Sequence, residues 1–154
     1  IYGEEHPEVA ITYANLGRIY NALGNQDKAL ELHTIALNGF IKTKGENHSK
    51  VVEAYNSLAE TYQAQGNLSE ALNYYNKALK VQTKLSGHET VDVLPLHVSR
   101  GMLYLQSKRF TRAYEHLEVA YKILKQYLGE NDSTVKELKS TLDALIEMNL
   151  VKKK

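Results

Sequence analysis

A glycine recurs every 42 residues in this chain, at Gly3, Gly45, Gly87 and Gly129. Much of the intervening sequence recurs at the same spacing, including the pairs His6 and His48, Val9 and Val51, Tyr13 and Tyr55, Leu16 and Leu58, Tyr20 and Tyr62, and Gly24 and Gly66. The first two copies match closely, the third matches loosely, and the fourth is half a copy. Repetition at this period indicates a stacked array of small units rather than one compact globule.

Within each copy the apolar residues fall at steps of three and four, which places each set on one face of a helix. In the first copy these residues are Val9, Tyr13, Leu16, Tyr20 and Leu23, followed by Ala29, Leu32, Ala36, Leu37 and Phe40. The break between the two sets is Gly24-Asn25, a pair suited to ending a helix in a turn. Each copy is therefore predicted to be two antiparallel helices of about 17 residues.

These periods predict a single repeat domain over residues 1–154. The predicted hairpins cover residues 3–44, 45–86 and 87–128, and a C-terminal capping helix covers residues 132–150. Six alanines recur in pairs seven residues apart on the second helix of each hairpin: Ala29, Ala36, Ala71, Ala78, Ala113 and Ala120. Small side chains at these places predict a close approach of the paired helix axes.

Composition excludes several classes of function. The chain has 19 basic and 18 acidic residues, so no net field would draw it to nucleic acid or to an anionic membrane. There is no cysteine, which removes disulfides and thiolate metal sites and favours a cytoplasmic location. No apolar run approaches the roughly 20 residues of a membrane helix. Because Ile1-Tyr2-Gly3 aligns with residues at helix ends elsewhere in the repeat, we expect a fragment of a longer protein.

Nothing in the sequence predicts a catalytic, cofactor or metal site. There is no phosphate-cradling glycine loop and no nucleophile elbow, so we expect a protein that is not an enzyme. The six histidines show no pair at i, i+4 spacing, and a metal site needs several converging ligands. His6 and His48 lie near repeat junctions and are interpreted as helix caps or junction contacts.

The recurring residues resemble the tetratricopeptide repeat (TPR) signature. The signature is carried by Tyr13, Leu16, Gly17, Tyr20, Gly24, Ala29 and Ala36, and again by Tyr55, Leu58, Ala59, Tyr62, Gly66, Ala71, Tyr75 and Ala78. The 42-residue period and the junction Gly45-Glu46-Asn47-His48 resemble the long-helix variant found in kinesin light chains. The resemblance implies an all-α, right-handed superhelical solenoid of antiparallel hairpins, in which the first helix of each hairpin lines the concave face.

By the same resemblance, a partner peptide or helix would bind in the concave groove, as in a protein-binding scaffold or adaptor. The groove residues implied are Asn15, Arg18, Asn21, Asn56, Ser57, Glu60, Gln63, Val98, Ser99, Met102 and Leu105, flanked by Ile11, Ala14, Glu53, Gln106, Glu137, Ser140, Thr141 and Ala144. Two alternatives stay open. The array could associate with itself, for instance as a homodimer through the apolar capping helix, or it could regulate a larger protein.

Two departures from related repeats bear on the ligand. Among the groove residues there is one cation, Arg18, against the three acidic residues Glu53, Glu60 and Glu137. This balance argues against a clamp for a C-terminal carboxylate. In the third copy the groove positions turn apolar, with Met102 and Leu105 beside Val98, and a methionine-bearing patch adapts to varied side chains. We therefore predict a peptide with an apolar anchor and some basic character.

The third copy departs from the consensus at four further places. Arg100 stands where the second copy has Leu58, His97 replaces a tyrosine, and Lys108 replaces a turn glycine. Arg100 is interpreted either as an anchor for an acidic group or as a packed aliphatic stem whose charge reaches solvent. Pro95 predicts that its helix either begins late or kinks.

Overall fold

The computed structural model describes residues 6–148, which form seven α-helices and one short 3₁₀ turn, with no strand in that range. The helices are α1 (Pro7–Ala22), α2 (Gln26–Lys44), α3 (Ser49–Ala64), α4 (Leu68–Ser86), α5 (Leu94–Gln106), α6 (Phe110–Leu128) and α7 (Ser133–Glu147). They fall into two compact units, one ending at Leu85 and the other beginning at Ser86.

The first unit contains two hairpins, α1–α2 and α3–α4. Each hairpin turns at a glycine in the left-handed region, Gly24 with φ 80° and Gly66 with φ 78°, as the sequence predicts. The second hairpin packs its first helix on the second helix of the hairpin before it. One buried cluster joins the two helices: Ala36, Leu37 and Phe40 of α2 with Val51, Ala54 and Leu58 of α3.

Side chains cap the beginnings of these helices. The Nδ1 atom of His6 accepts from the backbone N–H of Glu8 at 3.3 Å, and His48 Nδ1 accepts from the N–H of Lys50 at 3.1 Å. The interpretation of these histidines as caps is confirmed. Asn25 Oδ1 accepts a bond at the start of α2 in the same way, which satisfies one of the donors that every helix start leaves without a partner.

The paired helices approach closely where the sequence has small residues. All six recurring alanines have no exposed surface: Ala29, Ala36, Ala71, Ala78, Ala113 and Ala120. A Cβ atom added to Gly17 of α1 would lie 2.6 Å from ring atoms of His33 in α2. The predicted close approach of the helix axes is therefore confirmed, and glycine is required at Gly17 because a side chain opposes it directly.

The second unit contains the third hairpin, α5–α6, and the terminal helix α7. A 3₁₀ turn over Val91–Val93 precedes α5, and Pro95 lies in the first turn of that helix. Proline is tolerated there because its missing N–H would have no helical partner. The late start predicted as one of two alternatives is the one observed, and the helix is correspondingly short, with 13 residues against 16 in α1 and α3.

The turn of the third hairpin keeps the conformation of the other two without their glycine. Lys108 occupies the turn position with φ 58°, the one non-glycine residue with positive φ among residues 6–148. A side chain in this region costs roughly 1–2 kcal/mol. The packing of α5 against α6 therefore determines the turn more strongly than the residue at its centre.

Helix α7 packs on α6 and covers the end of the second unit. Leu142 and Leu145 of α7 form a buried cluster with Leu117 of α6, and Leu138 packs against that cluster. The remaining surface of α7 is mostly exposed and polar. The role of this helix as the cap of the array stays a prediction. The predicted extension of this helix to residue 150 lies outside the described residues, as does Gly3.

Candidate functional site

A small cleft lies between the first helices of the two hairpins in the first unit. Its volume is about 40 Å³, and it is lined by Ile11, Ala14, Asn15, Arg18, Phe40, Lys50, Glu53, Ala54 and Ser57. By this measure one water molecule needs roughly 10–15 Å³, so the cleft has room for a small group such as the tip of one side chain. The structure thus brings together Asn15, Arg18 and Ser57, three of the groove residues implied by the sequence.

The cleft combines an apolar floor with polar walls. Phe40 and Ala54 form the floor and are buried, with 2% and 4% of their surface exposed. Lys50 Nζ forms an ion pair with Glu53 at 2.8 Å on one wall. Arg18, on the other wall, is exposed and has no carboxylate within ion-pairing distance among residues 6–148. The Arg18 guanidinium can meet an incoming acceptor, while the Lys50 ammonium is already paired with Glu53.

Three lining residues are absent from the set implied by the sequence: Phe40, Lys50 and Ala54. Lys50 lies one helical turn before Glu53 and Ala54, so a helical projection of α3 places it beside them. Phe40 belongs to a second helix, whose apolar face was assigned entirely to the core. Its ring does belong to the core, and its edge also closes the bottom of the cleft.

Three of the other implied groove residues of the first unit, Asn56, Glu60 and Gln63, form side-chain hydrogen bonds. Asn56 Nδ2 donates to Glu60 Oε1 at 2.8 Å, which makes these two side chains one hydrogen-bonded pair. The hydroxyl of Tyr75 donates to Gln63 Oε1 at 3.4 Å. The Oδ1 atom of Asn21 is buried with no hydrogen-bond partner among residues 6–148. Of this group, the Asn56–Glu60 pair offers the clearest polar surface to a ligand.

A buried histidine lies close to Arg18. His33 is 2% exposed, and burial, with a further contribution from the Arg18 guanidinium, lowers the pKa of His33 to about 4. The ring is therefore neutral near pH 7. Its Nδ1 atom is buried without a hydrogen-bond partner in the described part of the chain. A neutral ring avoids placing a second positive charge beside Arg18.

The implied groove residues of the second unit differ in their exposure to solvent more than the sequence suggests. Met102 is 55% exposed, whereas Val98 and Ser99 are half-buried. Leu105 packs against the buried cluster that joins α6 and α7. Met102 is thus the most accessible apolar side chain of the set, and Leu105 contributes mainly to the interior of the unit.

Two histidines face each other inside the third hairpin. His97 Nδ1 and His116 Nδ1 are 3.0 Å apart, so one ring donates a hydrogen bond and the other accepts it. Burial, together with Arg100, lowers the pKa of His97 to about 4 and that of His116 to about 3, so both rings are neutral near pH 7. The Nε atom of Arg100 is buried without a hydrogen-bond partner among residues 6–148. The Nε atom of this guanidinium is therefore inside the unit, while Arg100 as a whole is half-buried. Its role as an anchor or as a packed stem stays a prediction.

Within residues 6–148 no helix is both long enough and apolar enough to span a membrane. In the same range no group of three or more histidine and acidic side chains converges as a metal ion would require.

Comparison with known proteins supports the repeat assignment. Residues 1–146 match the family model of the MalT-like TPR region. The structure is similar to that of BtubC (BKLC) from P. vanneervenii, with 26% sequence identity, a TM-score of 0.79 and a match over 94% of this chain. The chain spans 58% of the length of BtubC. No match was found among curated proteins.

A second similar structure is that of a kinesin-light-chain-type protein from Podosopora anserina with nearly identical TPR-like repeats. Its identity is 23% and its TM-score 0.75, with 94% of this chain and 68% of that chain covered. A variant form of the same protein has a TM-score of 0.76 at 22% identity, over 94% of this chain and 69% of that chain. Together with the seven helices, these matches confirm the prediction of an all-α TPR-type solenoid with repeats like those of kinesin light chains.

Proposed function

Because the chain belongs to the MalT-like TPR family, we propose that it is a scaffold or adaptor module that binds a partner protein through a peptide or helix. Repeats of this type generally mediate protein–protein interaction. Binding is assigned to the surface formed by α1 and α3, where the cleft between Arg18 and Lys50 would receive one side chain. The observation that supports this assignment is the cleft itself, because polar donors surround an apolar floor.

The chemistry of this surface suits a backbone or an amide more than a terminal carboxylate. Asn15 is exposed on one wall, and its amide can donate to and accept from an extended peptide backbone. One such bond contributes only about 0.5–1.5 kcal/mol, so affinity requires several contacts together. Glu53 is balanced by Lys50, but Glu60 is paired only with the neutral amide of Asn56, and its negative charge favours a basic side chain in the partner.

We assign the apolar anchor of the partner to the exposed Met102, with Val98, Ser99 and Leu105 around it. Recognition of cargo or partners in the manner of kinesin light chains, in a cytoplasmic setting and without catalysis, is the most specific form of this proposal. Self-association through α7 has weaker support, because Leu138, Leu142 and Leu145 of that helix already pack against α6.

A paired affinity capture tests the groove assignment. The variant Asn56→Ala with Glu60→Lys removes the hydrogen-bonded pair on α3 and reverses its charge. Its matched control, Asn76→Ala with Lys80→Glu, makes the same two kinds of change at exposed positions of α4. We expect partners captured by the wild-type chain to be lost with the first variant and kept with the control. Identical partner sets for all three proteins would contradict the proposal.

The apolar anchor is tested by titrating a labelled peptide of the captured partner. Met102→Glu is preferable to Leu105→Glu, because Met102 is exposed and Leu105 supports the α6–α7 cluster. We expect Met102→Glu to weaken binding by about tenfold, or 1.4 kcal/mol. Unchanged affinity would remove Met102 from the site. Sedimentation of the wild-type chain at high concentration separately tests for the homodimer, and we expect a monomer.

A further inference from the structure

The turn of the third hairpin concentrates positive charge in a chain that is balanced as a whole. Residues 93–114 contain no aspartate or glutamate, and they include three of the chain's four arginines and one lysine: Arg100, Lys108, Arg109 and Arg112. In the turn itself, residues 108–112 carry a formal charge of +3, whereas the equivalent residues 24–28 and 66–70 carry 0 and −1. The positive charge is therefore specific to the third hairpin and is not a property of the repeat.

Three of these cations line one open pocket. The pocket has a volume of about 620 Å³ and is lined by Tyr104, Lys108, Arg109, Phe110, Thr111 and Arg112. Lys108, Arg109 and Arg112 are exposed to solvent, whereas Tyr104 is buried. The pocket, here named the turn pocket, thus combines accessible positive charges with two aromatic residues and a hydroxyl group.

Most of the charge in the turn pocket is not neutralised within the described structure. Arg112 pairs with Glu115 at 3.2 Å, and the side chain of Arg112 is still 67% exposed. Lys108 and Arg109 form no ion pair with any of residues 6–148. The three cations and Glu115 together have a net charge of +2, which an external anion can balance.

The start of α6 adds N–H donors to these cations. In the second hairpin, Asn67 Oδ1 accepts from the backbone N–H of Glu70 and so caps α4. Arg109 replaces that asparagine, and α6 has neither a side-chain cap nor an acidic residue in its first turn. Because the first N–H groups of a helix have no partner inside it, they can donate to an anion that the cations hold.

We propose that the turn pocket binds a phosphorylated side chain of a partner protein. A phosphoryl group carries about −1.5 to −2 charge near pH 7 and three strong acceptor oxygens, which matches the net charge of +2 and the several donors. A carboxylate carries about half of that charge. Arginine clusters are a recurring means of recognising phosphorylated peptides, because the planar guanidinium pairs with phosphate through two hydrogen bonds.

The small extent of the charged surface favours one phosphoryl group over a polyanion. Segments that bind anionic lipids carry clusters of roughly four to eight lysines and arginines, and the turn pocket has three. Along α6 the charge changes sign after Arg112, with Glu115 and Glu118 on the next turns, so no basic stripe continues along the helix as nucleic-acid binding requires. The inference goes beyond the peptide groove, shares no residue with it and does not depend on it.

Fluorescence polarisation with labelled peptides tests the proposal on the full chain. Three probes share one sequence of alanine and glycine and differ in the central residue, which is phosphoserine, glutamate or serine. We expect saturable binding of the phosphoserine probe with a Kd below about 1 mM, and binding of the other two that is weaker by at least about tenfold. Inorganic phosphate should compete with the phosphoserine probe.

A double variant locates the binding without weakening the fold. Lys108→Gly with Arg109→Asn gives the third hairpin the turn residues of the second. Glycine suits the positive φ of 58° at this position, and asparagine can cap α6 as Asn67 caps α4. The variant should keep its helicity in circular dichroism and weaken binding of the phosphoserine probe by at least about tenfold.

Two further variants serve as controls. Lys136→Gln with Lys139→Gln also removes two exposed cations from the second unit, but these belong to α7 and do not line the pocket, so binding should be unchanged. Asn56→Ala with Glu60→Lys should likewise leave binding of the phosphoserine probe intact. Failure of the groove proposal and failure of this one are therefore distinguishable.

Three results would overturn the proposal. The first is the absence of saturable binding up to roughly 1 mM phosphoserine probe. The second is equal binding of the phosphoserine and glutamate probes, or equal binding of the phosphoserine probe by the wild-type chain and the Lys108→Gly, Arg109→Asn variant. The third is tighter binding of oligouridine RNA, or of vesicles that contain a phosphoinositide, than of the phosphoserine probe, because the occupant would then be a nucleic acid or a membrane.

Discussion

The second and third hairpins hold three rings in the same arrangement, but one cluster is built from tyrosines and the other mainly from histidines. In the second hairpin Tyr74 stacks on Tyr62, with ring centroids 5.5 Å apart and planes inclined by 11°. Tyr55 lies 6.1 Å from Tyr74. Lys77 Nζ lies 4.6 Å from the centroid of the Tyr74 ring, a cation–π contact.

A shift of 42 residues gives the cluster of the third hairpin. His116 stacks on Tyr104, with centroids 5.5 Å apart and planes inclined by 7°, and His97 lies 5.3 Å from His116. The repeat thus preserves the positions of the aromatic rings but not their chemical type. Burial raises the pKa of Tyr74 and that of Tyr55, which favours the neutral form of both rings. The histidine cluster can take up protons, and Arg100 lies beside it.

Lowering the pH should destabilise the third hairpin more than the second, and this is the largest difference that we expect between them. Because the folded pKa values of His97 and His116 are about 4 and about 3, the unfolded chain, with histidine near 6.5, binds more protons below pH ~6.5. Stability from the neutral pair is complete above that pH and is lost as pH falls toward 4. The groups facing the pair, Arg100, Arg112 and His88, are basic and oppose protonation.

Hydrogen exchange of the native chain at pH 7 and at about pH 5 measures this difference. We expect protection of the amides in α5 and α6 to fall more than protection in α3 and α4. His97→Tyr with His116→Tyr gives the third hairpin the rings of the second and should remove the difference. Equal loss of protection in both hairpins would contradict the comparison. The first hairpin is not a suitable reference, because it contains the buried His33.

Removing the central ring should be the next largest effect. Tyr74→Ala deletes a ring that contacts two others and a lysine, and we expect a loss of about 2–3 kcal/mol in the free energy of unfolding. His116→Ala removes a smaller ring and should cost less at pH 7. Urea denaturation checks both variants. A larger loss for His116→Ala would show that the histidine hydrogen bond matters more than ring area.

The second and third hairpins have different residues at one position of the first helix. The second hairpin has Ala59 where the third has Gly101. A Cβ atom on Gly101 would lie 2.6 Å from Leu117 Cδ2, and Leu117 is buried. We expect Gly101→Ala to destabilise the chain by about 1–2 kcal/mol despite the better helix propensity of alanine. Ala59→Gly, the reverse exchange, should cost about 1 kcal/mol. A stabilising Gly101→Ala would mean that Leu117 can move aside.

Substitution in the turn should change the free energy of unfolding least, and in the third hairpin it should raise this free energy rather than lower it. Lys108→Gly relieves a left-handed side chain at φ 58° and should raise the free energy of unfolding by about 1 kcal/mol. The reverse change in the second hairpin, Gly66→Lys, should lower it by a similar amount. Thermal unfolding of the two variants provides the measurement. No gain from Lys108→Gly would indicate that the lysine contributes a compensating contact.

Periodic features account for most of what the sequence predicts correctly. The helices, the turns at Gly24 and Gly66, and the buried alanines all follow from a 42-residue pattern in which each copy supports the interpretation of the others. The turn at Lys108 follows from the same register, even though the residue itself argues against it. Local chemistry fails there because the packing of α5 against α6 determines the backbone.

The candidate site is less predictable because it depends on contacts that no single helix pattern contains. Phe40 serves the core and the cleft at once, and a projection of α2 alone assigns it only to the core. Leu105 occupies a position that the resemblance assigns to the groove, yet it packs against the α6–α7 cluster. The ion pair between Lys50 and Glu53 likewise neutralises one wall of the cleft. It depends on the rotamers of both side chains, which sequence spacing does not determine.

The glycines that join hairpins carry one further consequence. Gly45 has φ 83° and ψ 166°, and Gly129 has φ 82° and ψ 163°, so the joints after α2 and after α6 have nearly the same backbone geometry. Insertion of a few residues at such a joint would disturb the register of everything that follows, whereas gain or loss of one whole unit would not. During evolution, chains of this kind should therefore change length in steps of 42 residues, through duplication or deletion of complete hairpins.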